Sequence, residues 1–566
     1  MRLFMNSLKP KNAAMVEACA IGLAAGFSAY LLKEGASILS GWRINAASSL
    51  SPFIVWPAIG CAGGLAAGWL VEKVAPEATG SGIPQVKALL GRVRVNLGLK
   101  VALVKLLGGV IALGTGMPLG REGPTVQVGA GLAAEFSRRT SISPERQRQL
   151  IAAGAGAGLA AAFNAPIAGF LFVLEELMQD LSALTVGTAI VACFVASVVA
   201  RLLGVHSLDI KWSELPKLGS FAVVDIPFYL LLGLLSGLLG ALFNRLLIAT
   251  MRFNARFLPV GMRWRVALAG LSTGIVSAFL PLFFAGGEGS PLRQMLASSQ
   301  ATWQLAAAAF FLQGIVILVD YGSGAPGGLF GPSVALGAAL GYVVGYWEHV
   351  LVGGSLPSTF ALVGMGTFFT AVCRVPMTAI VIVFEMTHNF NIVLQLMFGC
   401  VVSHMVAESV WKGSVYDHLL KFQGIVLKRD SPAARALSDV TVRAVMQKTV
   451  VSLPVELTLE QALEKFKISR HRGFPVTDEG RLAGIVTQTD LIGTAERSLP
   501  PETPLRDIMS VQPVTVSPGD SMADVLRLLD PDQYGLWPVM EDDRLVGVIS
   551  STDVLRAIAT AMKKQE

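Results

Sequence analysis

Charge is scarce in this chain. Of 566 residues only 15% are Asp, Glu, Lys or Arg, whereas 53% are hydrophobic and the mean hydropathy is +0.60. Soluble domains carry about a quarter charged residues, so a soluble protein is excluded and an integral membrane protein is implied. Cysteine is also sparse. The five present, Cys19, Cys61, Cys193, Cys373 and Cys400, fall in apolar segments without ligand spacing, which makes them core residues and not disulfides or a metal site. No P-loop, redox motif, nucleophile–base pair or metal cluster stands out, which argues against an enzyme. The net charge of +6 and pI near 9.0 fit basic loops of a membrane protein rather than nucleic-acid binding.

Glycine is in excess, at 59 residues, which suits close helix packing and interrupted helices. Apolar segments recur from Ala13 to about Trp411, but several are shorter than the roughly 20 residues a spanning helix needs, and Gly or Pro cuts many of them. Broken helices at that depth survive only when buried in protein or lining a cavity. The run from Ala13 to Leu32 follows Arg2, Lys9 and Lys11 without a clear small-residue cleavage site, and reads as a retained helix.

The charged pentapeptide Gly120-Arg121-Glu122-Gly123-Pro124 interrupts two such apolar segments. A charge at bilayer depth costs about 2.5 to 3.5 kcal/mol on insertion scales and is tolerated mainly beside a cavity or ion path. Pro124 suits the first position of a helix, and the glycines let backbone approach a ligand. A helix start buried in the membrane, with unpaired N–H groups, is a ready anion site, and the Glu122 carboxylate sits beside it.

The pentapeptide belongs to a repeat. Gly120 to Ala130 matches Gly328 to Ala338 at Gly, Gly, Pro, Val, Gly and Ala, and Gly154, Gly156, Ala161, Pro166 and Glu175 match Gly364, Gly366, Ala371, Pro376 and Glu385. Two related halves are expected, joined near Pro216 to Pro227, with both glycine–proline helix starts facing one site. The repeat also sorts the acids. Glu175 and Glu385 are counterparts and read as structural, capping or bonding backbone in each half. Glu176 aligns with Met386, and an unmatched intramembrane acid is a proton-relay candidate.

After Trp411 the composition becomes that of a soluble domain. Lys412, Lys421, Lys428 and Arg429 flank the last apolar segment, which places the C-terminus in the cytoplasm. A linker near Ser431 to Ser438 leads to a second repeat: Val445-Met446 and Ile508-Met509 open its units, and Gly484 to Asp490 and Gly547 to Asp553 close them. Each unit reads as helix, two strands and helix, with Phe474-Pro-Val and Trp537-Pro-Val opening a strand.

Gly80-Ser-Gly-Ile-Pro84, Gly120-Arg-Glu-Gly-Pro124, Gly328-Leu-Phe-Gly-Pro332 and Tyr416, in that order, resemble the CLC family of chloride channels and chloride/proton exchangers, and the tail resembles a tandem pair of CBS domains. The resemblance implies an all-α polytopic membrane protein over 1–420, with inverted-repeat halves of about 13–215 and 225–420 and broken helices. A linker at 421–440 and a cytoplasmic α/β CBS pair at 441–497 and 503–562 follow. It implies a homodimer in the lipid bilayer, each subunit with its own anion path. The compact loops and short tail point to a bacterial plasma (inner) membrane with both termini cytoplasmic, an organellar membrane being the alternative.

The resemblance also implies roles. Ser81 and Tyr416 match the hydroxyl donors to a dehydrated chloride, and the backbone N–H groups at Leu329 and Phe330, and near Glu122 and Gly123, match the remaining donors. Gly80, Gly82, Pro84, Gly120, Arg121, Gly123 and Pro124 shape the selectivity motifs. Serine at 81 matches the chloride-preferring pattern; proline there goes with nitrate in the family. Arg121 and Lys105 either set a favourable field or brace helices. Glu122 matches the gating glutamate, which competes with chloride when ionised and leaves when protonated. Glu176 matches the internal glutamate that passes protons to Glu122, which favours an exchanger over a passive voltage- or pH-gated chloride channel. Gln85 and Lys87 depart from the best-known bacterial exchanger pattern, where acids are common, so Lys87 alters the field on the proton route. No cofactor is required. For the CBS pair two readings stay open: an adenine nucleotide (ATP, ADP or AMP) with Asp490 and Asp553 on ribose and Thr487 or Ser550 near phosphate, or a purely structural module.

Overall fold

In the computed structural model, the residues up to Leu427 form a unit built almost wholly of helix, and those from Lys428 form a second, α/β unit. The structure describes residues 10–93, 95–140, 142, 144–178, 183–205, 223–284, 295, 301–425, 427, 437, 440–469, 471, 473–478, 480–496, 499–511, 513–527, 535–541 and 544–563. Arg2, Lys9, the inter-half join from Pro216 to 222, Lys428, Arg429 and most of the Ser431–Ser438 linker lie outside the described residues.

The first half runs through α1 (Pro10–Ser49), α2 (Pro52–Val74), α3 (Ile83–Leu90), α4 (Leu99–Gly114), α5 (Glu122–Thr140), α6 (Pro144–Phe163), α7 (Pro166–Phe172) and α8 (Ala183–Leu202). The second runs through α9 (Ile226–Phe257), α10 (Met262–Phe279), α11 (Trp303–Gly322), α12 (Phe330–Leu351), α13 (Pro357–Cys373), α14 (Pro376–Thr387), α15 (Val393–Val410) and α16 (Val415–Phe422). Seven helical stretches among the described residues are long and apolar enough to cross a membrane. Their outward faces carry exposed Leu23, Phe27, Phe194, Leu238, Phe311 and Met405, the apolar surface a bilayer requires. By contrast α3, α7 and α16, with 8, 7 and 8 residues, are too short to span.

The breaks have chemical causes. Proline opens α2, α7, α13 and α14 at a position where its missing N–H is no loss. Gly82 precedes α3 at φ +86°, a conformation cheap only for glycine. A capping box starts α16: Asp417 N–H donates to Ser414 Oγ (3.2 Å) and Ser414 N–H donates to Asp417 Oδ2 (3.1 Å).

The repeat becomes one joint built twice. A methyl group on Gly129 of α5 would overlap the carbonyl oxygen of Gly154 in α6, and a methyl on Gly337 of α12 would overlap that of Gly364 in α13. Between the halves, Gly120 N–H donates to Gly328 O (2.8 Å) and Gly328 N–H to Gly120 O (2.7 Å), an antiparallel pair. The two glycine–proline motifs therefore meet back to front, as the inverted halves of the expected fold would bring them.

In the second unit, strands Gly473–Asp478 and Arg481–Thr487 pair antiparallel, as do Leu536–Glu541 and Arg544–Ser550. Two-residue strands at Leu453–Pro454 and Ser510–Val511 widen the first pair to four strands. Helices Leu459–Ile468 and Gln488–Glu496 flank the first pair, and Met522–Arg527 and Ser551–Lys563 the second, the expected order. Phe474, Val476 and Val486 centre one core and Trp537, Val539 and Ile549 the other.

Candidate functional site

The loop before α3 turns on two glycines, Gly80 at φ +61° and Gly82 at φ +86°. Ser81 is held between them, buried, its N–H donating to the Tyr321 hydroxyl (3.3 Å) and its Oγ accepting from Ile83 N–H (3.3 Å). Pro84 lies in the first turn of α3. Lys105, fully buried on α4, donates from Nζ to Ala78 O (2.9 Å) and to Gly80 O. Of the two roles open to Lys105, the geometry supplies the brace: the ammonium ties down the loop that presents Ser81.

Glu122 is the first residue of α5, and its side chain reaches across the halves to α12, where Gly331 N–H donates to Glu122 Oε2 (3.2 Å). The carboxylate thus occupies the N-terminus of a buried helix, where unpaired N–H groups attract negative charge. Gly123 lies so close to Ser81 and Gly328 that a Cβ there would meet the Ser81 carbonyl oxygen. Arg121 is half-buried, and its carbonyl accepts from Thr125 N–H (3.1 Å). Pro124 is the third residue of α5, not the first as expected; the whole first turn lacks intrahelical N–H bonds, so proline is tolerated there too.

Leu329 and Phe330, both fully buried, form the start of α12. The Phe330 ring stacks on Tyr416 with centroids 6.2 Å apart, and the buried Tyr416 hydroxyl lies 3.6 Å from Cys373 Sγ. The structure therefore brings Ser81, Glu122, Gly123, Phe330 and Tyr416, drawn from four separate stretches of sequence, to one buried locus.

Glu175 and Glu176 sit in a π-helical turn, Val173–Met178, that follows α7. The wider turn sends the neighbours to different partners, as such bulges do at functional sites. Glu175 accepts from Met377 N–H (3.1 Å), Thr378 N–H (2.9 Å) and Thr378 Oγ1 (2.7 Å), all at the start of α14. Glu385 reciprocates with Ile167 N–H (3.1 Å) and Ala168 N–H (2.8 Å) at the start of α7. Both acids bond backbone as expected, but each does so in the opposite half, because inversion sets the two helix starts facing one another. Glu176 accepts instead from Lys87 Nζ (2.6 Å) and Ser414 Oγ (3.1 Å) at its Oε1, and Lys87 Nζ also reaches Asp417 Oδ1 (2.8 Å).

In the α/β unit, Thr487, Asp490, Ser550 and Asp553 line one cavity of about 750 Å³ together with His471 and Arg556. Asp490 Oδ2 accepts from Thr487 N–H (2.8 Å) and Thr487 Oγ1 (2.7 Å); Asp553 Oδ2 accepts from Ser550 N–H (3.0 Å) and Ser550 Oγ (2.6 Å). Gln447 Nε2 donates to both Asp553 oxygens, at 3.1 and 3.0 Å.

Sequence reasoning missed Tyr321, Asp417 and Ser414. Their signal was faint: Tyr321 lies just ahead of Gly328 where the first half has Leu113, an unmatched position like Glu176.

A membrane-spanning unit of two inverted halves, with broken helices aimed at a shared locus, defines a membrane transport protein. The sequence profile described as Voltage gated chloride channel matches residues 63–408, and that of the CBS domain matches 442–496 and 505–560. The chain belongs to the CLC family. It is 33% identical over 432 residues to the H(+)/Cl(-) exchange transporter ClcA of Yersinia pestis bv. Antiqua (strain Angola), covering 74% of this chain and 89% of that one. It is 36% identical over 360 residues to the ClcA of Vibrio parahaemolyticus, covering 62% and 76%. Among solved structures, a slow cyanobacterial Cl-/H+ antiporter aligns with TM-score 0.68 and 31% identity over 74% of this chain and 99% of that one. A eukaryotic CLC transporter shares the fold over 95% and 97%, with TM-score 0.66 and 22% identity.

Proposed function

We propose that this protein exchanges chloride for protons across a bacterial plasma membrane. The observation that carries the reading is the Glu122 carboxylate bonded to Gly331 N–H at the start of α12: the side chain occupies a place that favours an anion. Chloride and the ionised carboxylate compete for it, and a proton on Glu122 removes the attraction and frees the place. Ser81, Tyr416 and the backbone N–H groups around Leu329 and Phe330 solvate the ion. Glu176 takes protons from the cytoplasmic side and hands them towards Glu122. The kinship to named Cl-/H+ exchangers supports this reading.

The protein works as a homodimer with its termini in the cytoplasm, and the CBS cavity takes an adenine nucleotide that regulates flux. The cavity's size and its paired Asp490 and Asp553 support that assignment.

A passive channel is the second reading. It is favoured by one contact, the Lys87 ammonium 2.6 Å from Glu176, which opposes protonation of that acid. The deciding experiment follows protons in vesicles containing purified protein, with a chloride gradient imposed and the membrane potential held near zero. Uphill proton movement, abolished by Glu176→Gln and by Glu122→Gln while chloride flux persists, is expected of the exchanger. Chloride flux without proton movement in the native protein would establish the channel.

A further inference from the structure

Glu176, Lys87 and Asp417 form a chain from the buried acid towards solvent, with side chains 6%, 10% and 28% exposed. One ammonium is shared between two carboxylates, at 2.6 Å and 2.8 Å. Such sharing poses a problem for any acid that must pick up protons. A carboxylate with a buried cation as sole partner resists protonation, since the proton would leave the cation without a counter-charge, and stranding one member of a buried pair is far costlier than removing both.

We propose that Asp417 is a positioning residue of the proton limb: it supplies Lys87 with a second carboxylate, so that Glu176 can be protonated without stranding the ammonium. The proposal rests on the reading of Glu176 as the internal proton acceptor. A cytoplasmic hydronium gives its proton to a Glu176 oxygen, an O–H bond forms there and a water molecule is left. Lys87 stays charged and moves onto Asp417. When Glu176 passes the proton on, its carboxylate is restored and Lys87 swings back.

The same residues reach the anion locus. Ser414 Oγ donates to Glu176 Oε1 (3.1 Å) while accepting from Asp417 N–H (3.2 Å), and Asp417 Oδ2 closes the capping box that starts α16. Tyr416 lies inside that box. The position of Lys87 is therefore felt at both ends of the exchange: at Glu176 directly, and at Tyr416 through the cap.

Several ionisable groups nearby have partners of their own. On α16, His418 stacks on Trp411 with centroids 3.8 Å apart. Arg374, at the end of α13, bonds Glu408 (3.2 Å) and the carbonyls of Ala407 (2.7 Å) and Trp411 (2.9 Å). On α6, Arg148 bonds the Leu90 carbonyl (2.6 Å) and Arg146 pairs with Glu17 (2.7 Å). Cys373 and Tyr416 face the anion locus and meet each other.

The test is the proton-to-chloride ratio in vesicles for Asp417→Asn, Asp417→Glu, Lys87→Met and the double variant. Asn keeps an oxygen for the Ser414 N–H and removes the charge. Asp417→Gln does the same in the Ser/Thr-x-x-Gln form that Thr458 and Gln461 already use in this chain, and replaces Asp417→Asn if that variant does not fold. The neutral variant should lower the ratio by about threefold or more while chloride flux remains measurable. Asp417→Glu should restore the ratio. Lys87→Met should keep it, and the double variant should recover it, because without the ammonium no second carboxylate is needed. A native ratio in the neutral variant would overturn the proposal. So would a double variant as poor as the single one, which would mark Asp417 as a helix cap and no more. If the native protein moves no protons, the exchanger reading fails and takes this proposal with it; native coupling with an unaffected Asp417 variant sinks the proposal alone.

Discussion

Glu175 and Glu385 each bind the start of a helix in the other's half, Glu175 at Met377 and Thr378, Glu385 at Ile167 and Ala168. These crossed contacts make the two halves one structure. They also separate two adjacent acids by role, since Glu175 is committed to backbone while Glu176 faces Lys87.

The crossed caps should show equal and structural effects. Glu175→Ala and Glu385→Ala each remove two or more bonds to helix N–H groups and should each cost about 1–3 kcal/mol of stability. Unfolding midpoints in detergent will measure this, and the two losses should be similar.

The glycine joints predict a second matched pair. Gly129→Ala and Gly337→Ala force a methyl into a facing carbonyl and should each destabilise by about 1–3 kcal/mol. Gly41, inside α1, has nothing within 4 Å of a built Cβ, so Gly41→Ala should be neutral or stabilising by up to about 1 kcal/mol. Thermal unfolding of the three variants separates these expectations.

Lys105→Met removes the brace on the Ala78 and Gly80 carbonyls. Bonds to a charged donor are worth about 1.5–3 kcal/mol, so chloride affinity, read by calorimetry, should weaken by roughly tenfold as the Ser81 loop loosens. An unchanged affinity would reduce Lys105 to a buried cation without influence on the anion.

In the CBS cavity, Gln447 already occupies Asp553, whereas Asp490 is bonded only to Thr487 among the contacts described above. Asp490→Ala should therefore abolish ATP binding to the full chain, and Gln447→Ala should strengthen it or leave it intact. Equal heats of ATP binding in native protein and Asp490→Ala would remove Asp490 from the site.

Much of the membrane fold was legible because its architecture is written twice. The paired Gly120 and Gly328 motifs announced two halves, and the missing partner of Glu176 separated it from Glu175. The inversion was not legible in the repeat, since a linear match of Gly120 to Gly328 is the same for parallel and inverted halves. The partners of Glu176 were also hidden. Lys87 and Asp417 lie far apart in sequence, and only the meeting of α3, the π-turn and α16 sets one ammonium between two acids. Tyr321 reads as an ordinary helical aromatic until its hydroxyl is seen to hold Ser81 N–H.

The Gly120–Gly328 backbone pair also bears on how the chain is made. As the first half leaves the ribosome, the N–H and C=O of Gly120 lack the backbone partner that Gly328 supplies in the finished fold. The halves are thus not independent domains that dock after each is complete. Insertion has to keep the first half open, with a polar seam shielded from lipid by water or by the insertion machinery, until the second half arrives to close it.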